Sequence, residues 1–351
     1  MNIKITGSGS YVPDQIITNG DFAEHIFFDE TGNTLRYPEA VIGKFHDITG
    51  IEERRYAEPQ HTASDLAFFA SERAITDAGI DKESIDYIIM CHNYGDVAFG
   101  KVQSDTVPSL GSRVKNKLGI KNPHCVAYDL LFGCPGWNEG MIQANAFIRS
   151  GIAKRCLVIG AETLSRVVDK FDRDSMIYAD GAGAVVVEAS LDGSGLVSHE
   201  SVTYAVDESE YLYFGKSYNG QSDEDVRYIK MRGRKIYEFA LTKVPLAMQS
   251  CLNRANVKVE SLTKILIHQA NEKMDEAIVS RFYELYNMLP PKDIMPMSIH
   301  KFGNSSVATI PTLYDLIMKG KIERHEFRKG DILLFASVGA GMNINAFVYK
   351  V

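Results

Sequence analysis

The segment "DLLFGCPGWNEG", Asp129 to Gly140, sets Cys134 between glycines and directly before a proline. A residue before proline is pushed into an extended conformation. Proline suits the first position of a helix, where its missing N–H removes no intrahelical bond. Pro135 therefore opens a helix running through "GWNEGMIQANAFIRSG", with Cys134 just ahead of it. Unpaired N–H groups and the positive end of the helix dipole stabilise a thiolate, the nucleophilic form of cysteine. Gly133 and Gly136 keep space clear for a substrate. The plain alternative is a small buried hydrophobe at a helix start.

Three further segments decide between these readings. "ILIHQAN" places His268 just after an apolar strand, where a side chain faces the carboxyl edge of a sheet. "HKFGNSSVATIP" puts Asn304 in a Gly-Asn-Ser-Ser turn, and "SVGAGMN" offers close backbone approach at Gly339 and Gly341. Taken singly, the histidine reads as structural and the asparagine as a turn residue. Taken with Cys134 they supply a nucleophile, two nitrogen donors and a glycine turn able to present an N–H. That set suits acyl transfer.

Positioning these groups requires strands and helices in alternation. Short apolar, β-branched runs recur at 87–93, 155–162, 184–189, 264–271 and 331–341, with helix candidates at Ala63–Ala78 and Met141–Ser150 between them. Strands buried on both faces and separated by helices predict an α/β protein with largely parallel sheets. "DYIIMCHN" resembles "TKILIHQAN", and "ADGAGAVVVEA" resembles "SVGAGMNINAFVYKV", in the same order. The echoes predict a duplicated half with its seam near 190–200: residues 1–195 carry Cys134, and 196–351 carry His268 and Asn304. Segment 27–44 is polar and turn-rich and reads as a loop excursion.

Composition narrows the partners. With 351 residues and 45% apolar content the chain suits two packed halves of an ordinary globular enzyme. A net charge of −7 argues against nucleic acid. No run approaches a membrane span, and the start lacks the regions of a signal peptide, so a cytoplasmic location is expected. Five scattered cysteines, odd in number and without metal-pair spacing, read as free thiols, with no structural metal.

At these four segments the sequence resembles the β-ketoacyl-acyl-carrier-protein synthase III family of the thiolase superfamily. The likeness runs from "ITGSGSYVPDQIITNGDF" through "DITGIEERRYA" and "DGAGAVVV" to the C-terminal strand. It implies a five-layered αβαβα fold of two duplicated halves, a homodimer, and catalysis without a cofactor on CoA or carrier-protein thioesters. It implies that Cys134 takes the acyl group and that His268 and Asn304 bind the incoming malonyl thioester's carbonyl and favour its decarboxylation. The oxyanion hole would be the N–H groups of Cys134 and Gly341. A thiolase would carry a second cysteine in the C-terminal glycine turn, where "SVGAGMN" has none. A hydroxymethylglutaryl-CoA synthase would use a glutamate base instead.

The chain departs from the family around the donor. The tryptophan that stacks adenine is replaced by Lys44 or Phe45, while Arg173 matches the family's arginine. Arg234, after Gly233 in "KMRGRKIY", stands where a pantetheine-side asparagine is expected, and Asn271 of "HQAN" is kept. An acyl-carrier protein is thereby a live donor beside CoA. Val107, in "SDTVPSLGSRV", matches the residue that closes the partner's acyl pocket and implies room for chains longer than acetyl. Lys273 falls at the carrier-protein docking position. Initiation of fatty-acid synthesis is the first reading. A condensing enzyme of secondary metabolism, joining acyl chains into a polyketide or alkylresorcinol-type product, is the alternative. A non-catalytic partner subunit is disfavoured by the retained Cys134.

Overall fold

The computed structural model describes residues 2–351. One sheet has five strands, in the order Asn2–Tyr11, Asp180–Ser190, Arg155–Thr163, Tyr87–Cys91, Val126–Leu130. The other has four, in the order Gly195–Thr203, Asn343–Lys350, Ile332–Gly339, Leu262–Ile267. In each sheet the first two pairings are antiparallel and the third is parallel, as is the fourth in the larger sheet. Four of the seven pairings are therefore antiparallel, and the expectation of largely parallel sheets is corrected: the long buried strands Asp180–Ser190 and Asn343–Lys350 run against their neighbours. The echoing segments fall on corresponding strands, Tyr87–Cys91 with Leu262–Ile267 and Asp180–Ser190 with Asn343–Lys350. The duplication legible in sequence is thus a repeated strand order.

Period-two alternation sorts each strand between two cores. Ile89, Cys91, Cys156 and Val158 face the space between the sheets. Ile88, Met90, Leu157 and Ile159 face the helices Ala63–Ala78 and Leu110–Leu118 outside. In the second sheet Leu333, Phe335 and Phe347 point inward. Leu334, Ala336 and Val348 point outward, toward Gly233–Arg254 and Glu272–Glu284. The helices Gly136–Arg149 and Thr309–Met318 fill the middle through Trp137, Met141, Leu313 and Tyr314. Phe335 stacks on Phe347 at 4.3 Å, and Trp137 lies 6.2 Å from each ring. Helix, sheet, helix, sheet, helix gives the five layers. The helix behind Cys134 is therefore one of the two central helices enclosed between the sheets, and the corner has a rigid base.

Segment 27–44 corrects the sequence reading. The loop runs only to Tyr37, and a helix follows at Pro38–Thr49, with proline in its first turn and Gly50 closing it in the left-handed conformation (φ 71°). Its apolar stripe, Val41, Phe45 and Thr49, recurs every four residues but is masked by polar neighbours. Phe27 and Phe45 anchor the excursion in a fourth cluster with Phe22, Ile51, Leu164, Tyr178 and Ile299. Among the described residues no helix is long and apolar enough to cross a membrane.

Candidate active site

Cys134 occupies the link between the edge strand Val126–Leu130 and the central helix. The helix begins at Gly136, with Pro135 in the cap position (φ −70°, ψ −1°), one residue later than the sequence implies. The strand's end is pinned by Asp129. Its carboxylate accepts from the Leu110 and Gly111 N–H groups at 2.8 and 2.7 Å, and lies 3.0 Å from His92 Nε2. Gly133 then turns the chain in the left-handed region (φ 66°).

The two glycine turns meet main chain to main chain. A Cβ on Gly133 would lie 2.7 Å from Ala340 N, and one on Gly339 would lie 2.4 Å from Cys134 N and 2.7 Å from Pro135 Cδ. Gly339 is extended (φ −165°), so space alone demands glycine there. Gly339→Ala is expected to lower turnover about 10²-fold, the cost of roughly an ångström of misplacement at a reacting centre. It should also cost about 1–3 kcal/mol of stability from overpacking. Initial rates and urea unfolding check both, and wild-type turnover in the variant would refute the fit.

Asn304 is fixed by its main chain. Its N–H donates to Ile177 O at 2.9 Å, and its carbonyl accepts from Ala179 N at 2.8 Å. Gly303 precedes it at φ 61°, where a Cβ would come 2.9 Å from Arg54 Cβ. Arg54, fully buried, holds Met176 O at 3.0 Å and Asn19 Oδ1 at 2.6 Å, which braces the strip that Asn304 pairs with. The Asn304 side-chain oxygen accepts from Ser306 N at 2.8 Å, which leaves its NH₂ as a donor. Ser306 sits at φ 53°, uncommon for a residue with a side chain. Its hydroxyl donates to Cys134 Sγ at 3.3 Å. One strained serine thus ties the asparagine turn to the thiol.

His268 follows the strand Leu262–Ile267, its N–H donating to Ala336 O at 2.9 Å. The ring is buried, and Nδ1 has no hydrogen-bond partner. Burial pushes its pKa down to about 4, with the Ser306 main chain pulling the other way, so the imidazole is neutral at physiological pH.

The thiol departs from expectation. Burial pushes the Cys134 pKa up to about 11; the Ser306 hydroxyl opposes that rise, and the nearby Glu162 carboxyl adds to it. Desolvation outweighs these hydrogen bonds, so the resting nucleophile is a protonated thiol, and the imidazole linked to the same Ser306 is neutral.

The sequence model of the 3-oxoacyl-[acyl-carrier-protein] synthase III family matches residues 128–205, and that of its C-terminal part matches 252–351. The Staphylococcus aureus β-ketoacyl-[acyl-carrier-protein] synthase III is 32% identical over the whole of this chain and 99% of its own length. The chain belongs to the β-ketoacyl-acyl-carrier-protein synthase III family. It is an acyl-condensing transferase. The crystal structure of the Aquifex aeolicus 3-oxoacyl-[acyl-carrier-protein] synthase III superposes with a TM-score of 0.80 at 30% identity, covering 99% of this chain and all of that one. A priming β-ketosynthase of the R1128 polyketide pathway shares the fold, with a TM-score of 0.82 at 24% identity, over all of this chain and 96% of its own.

The synthase III frame shows where the other anticipated residues lie. Gly341 is left-handed (φ 75°) in the turn beside Cys134. Arg173 is half-exposed, 3.7 Å from Asp174. Gly233 opens the helix Gly233–Arg254 on the surface, with open space where a Cβ would go. Asn271 is the cap of Glu272–Glu284: its side-chain oxygen accepts from Met274 N at 3.0 Å, which leaves only its NH₂ for a ligand. Lys273 is exposed one residue into that helix. Phe45 is buried beneath Arg54, so Lys44 alone of the two faces solvent. Val107 is 84% exposed.

Sequence reasoning missed three residues at the site. Ser306 lies inside the quoted Gly-Asn-Ser-Ser turn, and Asn93 inside the echo that pointed to His268. Glu162, next to last in the strand Arg155–Thr163, is visible in sequence as a glutamate that could be taken for a base, but its link to Asn93 and Ser306 is not. Among the described residues no cluster of His, Cys, Asp or Glu has the arrangement to hold a metal ion.

Proposed function

We propose that the chain condenses an acyl group held on Cys134 with malonyl-acyl-carrier protein, with loss of carbon dioxide, to give a β-ketoacyl-carrier protein. The supporting observation is the Ser306 junction, which puts the thiol and the Asn304 turn in one hydrogen-bonded unit. The Cys134 sulfur attacks the donor thioester, its proton passing to neutral His268 and then to the departing thiolate. Malonyl carboxylate leaves as carbon dioxide, and its electron pair becomes an enolate whose oxygen accepts from His268 and Asn304. The enolate carbon attacks the acyl-cysteine, and the resulting oxyanion accepts from the Cys134 and Gly341 N–H groups until the sulfur departs.

The remaining roles follow the same frame. Arg173, Gly233 and Asn271 line the pantetheine path, and Lys273 meets the carrier protein. Residues 1–195 and 196–351 are the two halves, and the enzyme acts in the cytoplasm, where its free cysteines stay reduced. The working form is a homodimer. Its support is the edge strand Val126–Leu130, paired on one side, with exposed Leu131 beside it and Val107 projecting nearby in sequence. Val107 of one copy closes the acyl pocket of the other.

A panel of acetyl to decanoyl groups, carried on CoA and on acyl-carrier protein, tests this by intact-protein mass spectrometry. A single adduct at Cys134 is expected, growing more abundant beyond acetyl as each buried methylene adds about 0.8 kcal/mol. No adduct from any donor would overturn the reading, and a sharp acetyl optimum would reject the enlarged pocket. Burial of Phe45, which removes an adenine platform, favours carrier-protein donors. It also supports a second reading, in which two long acyl chains are joined in secondary metabolism. A product formed only when malonyl-carrier protein is replaced by a longer β-ketoacyl thioester would select that reading.

A further inference from the structure

We propose that Glu162 is a positioning residue for the nucleophile: through Asn93 and Ser306 it holds a hydroxyl hydrogen on the Cys134 sulfur. Glu162 is the last residue but one of the strand Arg155–Thr163 and is 1% exposed. Its Oε1 accepts from Asn93 Nδ2 at 2.7 Å, the same nitrogen donates to Ser306 Oγ at 3.2 Å, and Ser306 Oγ donates to Cys134 Sγ at 3.3 Å.

The direction of this chain follows from donor counts. An amide nitrogen carries two hydrogens, and here one goes to the carboxyl and the other to the serine oxygen. With a lone pair of Ser306 occupied by Asn93, its single hydrogen is directed to the sulfur. The carboxyl sets the amide's orientation, the amide sets the hydroxyl's, and the hydroxyl meets the thiol. When the sulfur gives up its proton the last bond becomes charge-assisted and strengthens.

Among the described residues Asp275 is likewise buried without partners, but two other buried acids serve as a comparison. Asp180 accepts from Ala57 N, Ser165 N and Ser165 Oγ, and Asp315 accepts from Ser8 and Ser10, so both oxygens of each are satisfied. Glu162 Oε2 is buried without a partner. A carboxyl buried without a cation or a full set of donors costs stability, and among the described residues the only side chain to which it is hydrogen-bonded is Asn93. Burial, together with the Asp180 charge, pushes its pKa up to about 8 against the pull of Asn93, which keeps negative charge away from the thiol near neutrality. The other titratable groups near the sulfur are His268, which shares Ser306 with it, and Tyr94 and Tyr178.

The proposal rests on Cys134 being the acylated nucleophile, and alkylation by iodoacetamide, located by peptide mass spectrometry, reads the sulfur without substrate. Ser306→Ala, Asn93→Ala and Glu162→Ala are each expected to slow alkylation of Cys134 about tenfold at pH 8 and to move its pH midpoint upward. Glu162→Gln keeps an oxygen for Asn93 and should remain within twofold of wild type. Alkylation of Asn93→Ala at the wild-type rate would overturn the relay, including where Glu162→Ala fails to fold. Equal slowing in Glu162→Gln and Glu162→Ala would overturn it too, since geometry would not then be what Glu162 supplies. Absence of thioester acylation in the wild type would sink the functional reading alone and leave these alkylation rates to judge the relay.

Discussion

Serine in place of Cys134 is expected to cut condensation by at least about 10³-fold and leave the fold intact. Oxygen replaces a half-buried sulfur at the end of one side chain, and the main-chain contacts of the corner with Gly339 are untouched. Stability should change by about 1 kcal/mol or less. The chemical loss is severe because proton removal is already demanding. Burial holds the thiol near 11, and the base available is an imidazole whose conjugate acid is held near 4. An alcohol is several units less acidic again than a thiol, and nothing at the corner compensates. Malonyl decarboxylation does not need the nucleophile and should continue in the variant. Carbon dioxide release and ketoacyl product, measured side by side, separate the two steps. Product above about 1% of the wild-type rate would show that Cys134 is not the acyl carrier.

The fold was legible in the sequence to the extent that its physics is local. Alternating apolar strands and the Ala63–Ala78 helix follow from periodicity, and the second of these has the bounds the sequence implies. The duplication was legible because equivalent strands need equivalent residues where they approach the centre. The helix Pro38–Thr49 was missed because its stripe is narrow and its outer face carries the charge and turn formers of a loop. At the site, Cys134, His268 and Asn304 were readable because each sits at an unusual corner. The protonation state of Cys134 was not, since its corner is visible in sequence while the burial that raises its pKa is a property of the assembled layers. Glu162, Asn93 and Ser306 are joined across 69 and 213 residues, and no local pattern carries such a link.

His268→Gln should lower malonyl decarboxylation about 10²–10³-fold, the usual cost of misplacing one oxyanion donor, and should also slow a single round of Cys134 acylation, since glutamine cannot take the thiol's proton. The imidazole donates from a single N–H because it is neutral: its folded pKa near 4 keeps it uncharged where an unburied histidine would titrate. Wild-type decarboxylation should therefore run flat from about pH 5 to 7, with no inflection near 6.5. The same shift has a stability consequence of fixed sign. The unfolded chain binds a proton at His268 below about 6.5 and the folded chain does not until about 4, so stability rises with pH across that window. The wild type should lose up to roughly 3 kcal/mol through this group as pH falls from 6.5 to 4, and His268→Gln should not. Urea unfolding at each pH measures the difference, while a decarboxylation profile that falls with a midpoint near 6.5 would mean the imidazole is exposed to solvent and the donor role assigned to it is wrong.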